Sequence, residues 1–160
     1  MDLILSSGFL AFSRHIGILD AISEKEVPID GVCGTSSGAL VGALWVSGMP
    51  LDEIARLLSA QRPLSMLSLN WCCWRGLFRM GKMIRLLETV LPSSFEELER
   101  PFGVGLCDSQ GRAVIRDSGP LVAAVAASCA MPYVFEPIRI GDEQYCDGGA
   151  VDRIHAVGWR

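Results

Sequence analysis

The sequence predicts an α/β fold: a central, mostly parallel sheet with helices on both faces. Three observations carry that expectation. Residues 3–47 spell strand, helix, strand, helix, a unit that favours a parallel sheet closed by a right-handed crossover. From Gly31 to Leu51 no residue is charged, yet glycines, Pro50 and a Thr-Ser-Ser turn interrupt the run, so it reads as a buried strand, turn and helix rather than a membrane span. Late in the chain, Gln110-Gly111 and Gly141-Asp142 each sit between short apolar runs, the pattern of hairpins added to a sheet.

The elements follow in order. Leu3 to Leu5 is a short buried strand, and Ser6-Ser7-Gly8 opens a turn. From His15 to Glu24, Ile16, Ile18, Leu19, Ala21 and Ile22 form a helical stripe with a polar end at Glu24-Lys25-Glu26. Val27-Pro28-Ile29-Asp30 breaks that helix and leads to a strand at Gly31-Val32-Cys33. The next helix runs to about Ser47, where Gly48 supplies a left-handed cap. Pro50-Leu51-Asp52-Glu53 starts another helix, with Ile54, Ala55, Leu57 and Leu58 turned into the core and Pro63 as its stop. Met83 to Val90 is helical again, and Ser93-Ser94 with Glu96 and Glu97 marks a further short helix start. Pro101 to Cys107 and Ala113 to Arg116 are strands joined by turn chemistry at Asp108-Ser109-Gln110-Gly111-Arg112. Leu121 to Ser128 is a small alanine-rich helix, and Ile138 to Ile140 and Glu143 to Cys146 form the last hairpin. No repeat, linker or low-complexity tract divides the chain, so residues 1–160 are expected to form one domain.

Bulk properties exclude several functions. Half of the 160 residues are hydrophobic and a fifth are charged, which fits a protein with a packed core rather than a disordered one. The net charge of −4 gives no footprint for nucleic acid. The six cysteines contain no C-x-x-C pair, and the two histidines are remote from metal-ligand spacing, so neither a metal nor an organic cofactor is expected. Most cysteines lie in apolar runs as small buried hydrophobes, which points to free thiols in a reducing compartment. The chain starts without a basic segment or cleavable leader, and a cytoplasmic location is expected.

The chemistry centres on Gly34-Thr35-Ser36-Ser37-Gly38, a Gly-x-Ser-x-Gly sequence between a strand and a helix. In that context the serine sits on a strained bend, its hydroxyl presented at a helix N-terminus, the arrangement called a nucleophile elbow. Side chains at Gly34 and Gly38 are expected to collide with the neighbouring strand. Three further stretches bear on it. Leu5-Ser6-Ser7-Gly8 ends the first strand in a turn, and Asp147-Gly148-Gly149 follows the last. Ala127-Ser128-Cys129-Ala130-Met131-Pro132-Tyr133-Val134-Phe135-Glu136-Pro137 joins the alanine-rich helix to that last hairpin.

Taken together, these pieces resemble the patatin-like phospholipases from Leu3 to about Asp152. The matching segments fall in the family's order, including His15-Ile16-Gly17-Ile18-Leu19, Phe95-Glu96-Glu97-Leu98 and Asp117-Ser118-Gly119-Pro120. The resemblance implies a three-layer α/β/α fold and a lipid acyl hydrolase with a Ser-Asp dyad. By position, Ser36 is the nucleophile, Asp147 its base, and the turn at Ser7, Gly8 and Phe9 the oxyanion hole. Gly148 and Gly149 are expected to let the backbone turn tightly and bring the carboxylate to Ser36. The substrate is then a lipid acyl ester.

The sequence departs from the family at two places. The oxyanion turn is typically Gly-Gly-Gly-x-Arg/Lys-Gly; here Ser7 to Phe12 occupies those positions, only Gly8 is kept, and Arg14 is the nearest basic residue. The family pattern also continues beyond Asp-Gly-Gly, so a shortened C-terminus is expected, with uncovered apolar faces that favour self-association. A non-catalytic lipid-binding or interaction protein with a degenerate turn is therefore the competing function. A Ser36–Asp147–His155 triad has the chain order of α/β-hydrolases, but eight residues from Asp147 to His155 leave no room for the usual strand between them. The stretch from Leu64 to Met80, with Trp71 and Trp74 followed by Arg75 and Arg79 among apolar neighbours, fits a peripheral membrane contact or a packing surface equally well.

Overall fold

A computed structural model describes residues 1–8, 10–60, 68–69 and 77–159; Phe9 and most of the stretch from Leu64 to Met80 lie outside the described residues. The strands are β1 (Asp2–Leu5), β2 (Gly31–Thr35), β3 (Ser68–Leu69), β4 (Phe78–Arg79), β5 (Phe102–Asp108), β6 (Ala113–Arg116), β7 (Ile138–Ile140) and β8 (Glu143–Asp147). The helices are α1 (Phe12–Glu24), α2 (Ser37–Val46), α3 (Leu51–Ala60), α4 (Gly81–Val90) and α5 (Leu121–Ser128). Short 3₁₀ turns follow at Phe95–Glu97 and Gly148–Ala150.

Six of the strands form one mixed sheet. β1, β2 and β5 are parallel neighbours, as the strand–helix alternation requires. Both late hairpins appear as antiparallel additions, β5 with β6 and β7 with β8. β5 is the template for the rest. β6 occupies one of its edges along Val104 to Cys107. β2 pairs with Phe102 to Gly105 and β8 with Leu106 to Asp108, so these two strands share the opposite edge, end to end. Thr35 stands opposite Gly105 and Asp147 opposite Leu106, so β2 and β8 leave the sheet at adjacent positions.

The helices divide by composition. α2 and α5 are almost wholly apolar and buried; in α2 only Trp45 is not. A helix apolar on every side belongs in the interior, and these two pack on the central strands. α1, α3 and α4 bury one stripe each, centred on Leu19, Ile54 and Leu87. α1 begins three residues before the expected His15, because Ala11 caps it without a side-chain hydrogen bond and leaves no sequence mark. α2 ends as anticipated at Gly48, whose φ of +86° is glycine's province. The Ser94–Glu97 capping box forms as read, with the Glu97 carboxylate accepting from the Ser94 N–H at 3.1 Å.

Helix α2 touches β1 without a spacer. A Cβ on Gly38 would stand 2.3 Å from the Leu5 carbonyl oxygen, whereas a Cβ on Gly17, exposed in α1, would meet nothing within 4 Å. Gly38→Ala is expected to destabilise the fold by about 3 kcal/mol through overpacking of two backbones that cannot part. Gly17→Ala should stabilise it by up to about 1 kcal/mol through helix propensity. Urea midpoints of the two variants check both signs.

Candidate active site

Ser36 lies between β2 and α2 with φ 55° and ψ −119°, a conformation non-glycine residues rarely hold. Such a residue costs about 1–3 kcal/mol and persists only where its surroundings fix it. Here they do. The Ser36 N–H donates to Ser128 Oγ at 2.8 Å, and the Ser128 hydroxyl donates in turn to the Gly105 carbonyl at 2.7 Å. The Ser36 carbonyl accepts from Leu40 N–H at 3.0 Å and from the Cys129 thiol at 3.4 Å. Ser128 is fully buried in the Ala-Ser-x-x-x-Pro run; it acts as a strut between strand and elbow, a role its residue type alone does not announce.

Asp147 ends β8 and is 6 % exposed. Its Oδ1 accepts from the Gly149 N–H at 2.7 Å, and its backbone N–H donates to the Ala130 carbonyl at 2.9 Å. Burial raises its carboxyl above the ordinary aspartate value; hydrogen bonding from the Ser36 hydroxyl and from the Gly149 N–H pulls the other way but does not cancel it. Ser36 and Asp147 are thus brought together.

The glycines act through space rather than conformation. Gly148 and Gly149 do turn the backbone tightly, in the 3₁₀ turn Gly148–Ala150, but without positive φ. A Cβ on Gly149 would sit 2.2 Å from Ser7 Oγ, and one on Gly148 would sit 2.5 Å from the His155 ring and 2.6 Å from the Gly105 carbonyl. Gly34 needs correction: its Cβ would strike the Gly38 carbonyl at 2.5 Å, in the first turn of α2, whereas only Gly38 faces a neighbouring strand.

Two histidines frame the site without entering it. His155 is 2 % exposed, and its Nε2–H donates to the Leu106 carbonyl at 3.1 Å, which leaves Nδ1 to accept from the Thr35 hydroxyl at 3.2 Å. Both ring nitrogens are committed to the sheet, so the triad reading does not describe this arrangement. His15 is also buried, and desolvation lowers its pKa. The Ser37 hydroxyl donates to the Gly8 carbonyl at 2.7 Å and accepts from His15 Nε2–H at 3.3 Å. This relay ties α1, the elbow and the Gly8 turn together. The Ser7 N–H donates to the Arg153 carbonyl at 2.7 Å, so that donor is already used. Arg14 is exposed on α1 and does not line the site.

The polar residues close one end of an apolar cavity of about 480 Å³, within the roughly 300–1,000 Å³ usual for small-molecule sites. Leu57 and Leu58, expected in the core, pack against it half-buried and also line this cavity with Leu40, Leu44 and Met83. Met80, from the stretch read as membrane contact, lines it too. Among the described residues the cysteines are free thiols, and burial pushes Cys33 and Cys146 up to about 12 and raises Cys129 as well, so none of these three is a ready nucleophile. Among the described residues no group of three His, Cys, Asp or Glu side chains could hold a metal ion, and no helix is long and apolar enough to cross a membrane.

Comparison with known proteins places this geometry. Residues 3–156 match the sequence pattern of the Patatin-like phospholipase family. The chain belongs to that family. An uncharacterised NTE family protein of Mycobacterium tuberculosis is 32% identical over 154 residues, covering 94% of this chain and 42% of that protein. Neuropathy target esterase sws of Drosophila grimshawi is 31% identical over 133 residues, 81% of this chain and 8% of its own length. The chain therefore spans less than half the length of these relatives. VipD from Legionella pneumophila shares the fold, a mixed sheet between helices, with a TM-score of 0.72 at 14% identity over 99% of this chain and 47% of VipD.

Two outcomes follow from the site's polar groups. Ser128→Ala leaves the buried Ser36 N–H and the Gly105 carbonyl without their shared partner, and should lower stability by about 1–3 kcal/mol in urea titration. For Asp147 the sign is the reverse of a paired carboxylate. The folded state holds the proton more tightly than the unfolded chain, so stability falls as pH rises from the unfolded value of about 3.9 through the raised folded one. Asp147→Asn should therefore have a higher thermal midpoint than wild type at neutral pH. That advantage should vanish at about pH 3, below both values.

Proposed function

We propose that this chain is a serine acyl-ester hydrolase of lipids that works through a Ser36–Asp147 dyad. One observation carries the reading: the Ser36 hydroxyl, held on a strained elbow, addresses a desolvated Asp147 carboxylate at the polar end of an apolar cavity. Ser36 Oγ attacks the ester carbonyl carbon while its proton passes to Asp147. Asp147 then gives that proton to the departing alcohol and later takes one from the water that releases the acyl group. Its raised pKa suits this exchange better than that of a solvated aspartate. The oxyanion is held by backbone N–H groups of the Gly8 turn and the first turn of α2, whose N-terminus favours negative charge. Of the three turn positions, Ser7 contributes through packing against Gly149, since its N–H serves Arg153; Gly8 is left as the donor among the described residues of the turn.

The substrate meets the site at the surface. Leu10 and Met131 line the cavity and are 49% and 37% exposed. Apolar residues at a cavity mouth suit a cytoplasmic enzyme that works peripherally at lipid surfaces. A second reading draws on the committed Ser7 N–H and the glycine-poor turn: a protein that binds lipid in the same cavity without cleaving it.

Ser36→Ala and Asp147→Asn should each lower hydrolysis of a short p-nitrophenyl ester by at least about a thousandfold, with unchanged circular dichroism. The wild type should be labelled at Ser36 by a fluorophosphonate. Well-folded protein that neither labels nor hydrolyses belongs to the second reading. The acid limb of kcat/KM should lie above the ordinary carboxylate range and reflect Asp147.

A further inference from the structure

We infer that α2 measures the acyl chain: the chain lies along this helix from Ser36, and Leu40 and Leu44 set the length accepted. The inference rests on the reading above only in placing the ester at Ser36. Ser36, Leu40 and Leu44 all line the cavity and are spaced four residues apart. At a rise of 1.5 Å per residue, Leu40 stands about 6 Å and Leu44 about 12 Å further along the helix axis than Ser36. The cavity therefore runs down the helix whose first turn presents the nucleophile. Its far walls come from Leu57 and Leu58 on α3 and Met83 on α4.

Chemistry fixes which part of the substrate enters. The hydroxyl and carboxylate groups lining the cavity belong to Ser7, Ser36, Ser37 and Asp147; every other lining side chain is apolar, apart from the neutral thiol of Cys129. Among the described residues no lining side chain is a cation, and Asp147 contributes the one carboxyl group, at the polar end beside Ser36. A phosphate or other anionic headgroup entering there would be repelled and left without a partner. A hydrocarbon chain loses nothing by entering. The ester is thus oriented with its acyl tail along α2 and its alcohol outward, and one cavity along one helix accommodates one tail.

The test compares kcat/KM for p-nitrophenyl butyrate, octanoate and palmitate in wild type, Leu40→Trp and Leu44→Trp. Burial of each methylene is worth roughly fourfold, so excluding about four of them lowers the ratio of a long to a short ester about a hundredfold or more. Leu40→Trp should lower both the octanoate/butyrate and the palmitate/butyrate ratios by that factor. Leu44→Trp should lower the palmitate/butyrate ratio by that factor and keep the octanoate/butyrate ratio within about threefold of wild type. Identical length profiles in all three proteins, or the same cut-off in both variants, would overturn the inference. Leu44 is fully buried, so Leu57→Trp, at a half-buried position on the opposite wall, gives a second cut-off that should also fall between butyrate and palmitate.

A second measurement separates this inference from the hydrolase reading. Fatty acids from butyrate to palmitate displace a fluorescent fatty acid from Ser36→Ala protein, with and without Leu40→Trp. Length-dependent displacement that Leu40→Trp truncates, in a chain that shows no Ser36-dependent hydrolysis, would sink the hydrolase reading and keep the acyl site. Hydrolysis with flat length dependence and no displacement would do the opposite.

Discussion

The site depends on how one strand edge is shared. β5 gives the first half of an edge to parallel β2 and the second half to antiparallel β8. Two strands from opposite ends of the chain then run toward each other and stop at neighbouring positions. The chain must turn away there in both cases, so Ser36 and Asp147 leave the sheet side by side. No hinge or long loop is needed to bring them together. The crowding at this junction explains the small residues around it: Gly105 makes room for the Thr35–His155 contact, and Gly148 for the His155 ring and the Gly105 carbonyl. The same geometry forces a sharp exit into α2, where Gly38 must lie against the Leu5 carbonyl.

A junction this dense buries polar groups, and each needs a partner. Three short relays supply them: Ser36 through Ser128 to Gly105, Thr35 through His155 to Leu106, and His15 through Ser37 to Gly8. They work through hydrogen bonds that require no charged group, so they hold the backbone without the desolvation cost of a buried ion pair. Asp147 is the exception. Two hydrogen bonds and the nearby His155 offset only part of its burial. A carboxylate kept dry at a cost to stability fits the proposed role of a group retained for chemistry rather than for the fold.

Much of this was legible in the sequence. The strand–helix alternation, both hairpins, the Gly48 cap and the Ser94 box follow from local chemistry, which acts over a few residues and leaves fixed marks. The pairing of Ser36 with Asp147 was readable only through the resemblance, since nothing in an Asp-Gly-Gly run by itself says what it faces. The struts were not readable. Ser128, Thr35 and His155 are common residue types whose roles arise from the shared edge of β5, and that edge is a property of sheet order. The Gly148-Gly149 pair shows the same limit from the other side: a glycine declares a missing side chain but not whether the backbone angle or the space is what matters, and here it is the space.

Leu57 and Leu58 carry the point furthest. The apolar stripe of α3 says that those side chains avoid water, and a stripe of leucines reads as core. Burial against protein and burial against a ligand cavity impose the same constraint on residue type, so periodicity cannot separate them. Exposure separates them: Ile54 on the same helix has none, while Leu57 and Leu58 keep part of their surface free and spend it on the cavity wall. A fold with an apolar ligand needs a few residues that are core by sequence and surface by geometry. In this chain they gather where α3 and α4 face the helix that follows Ser36, so that helix also forms a wall of the cavity.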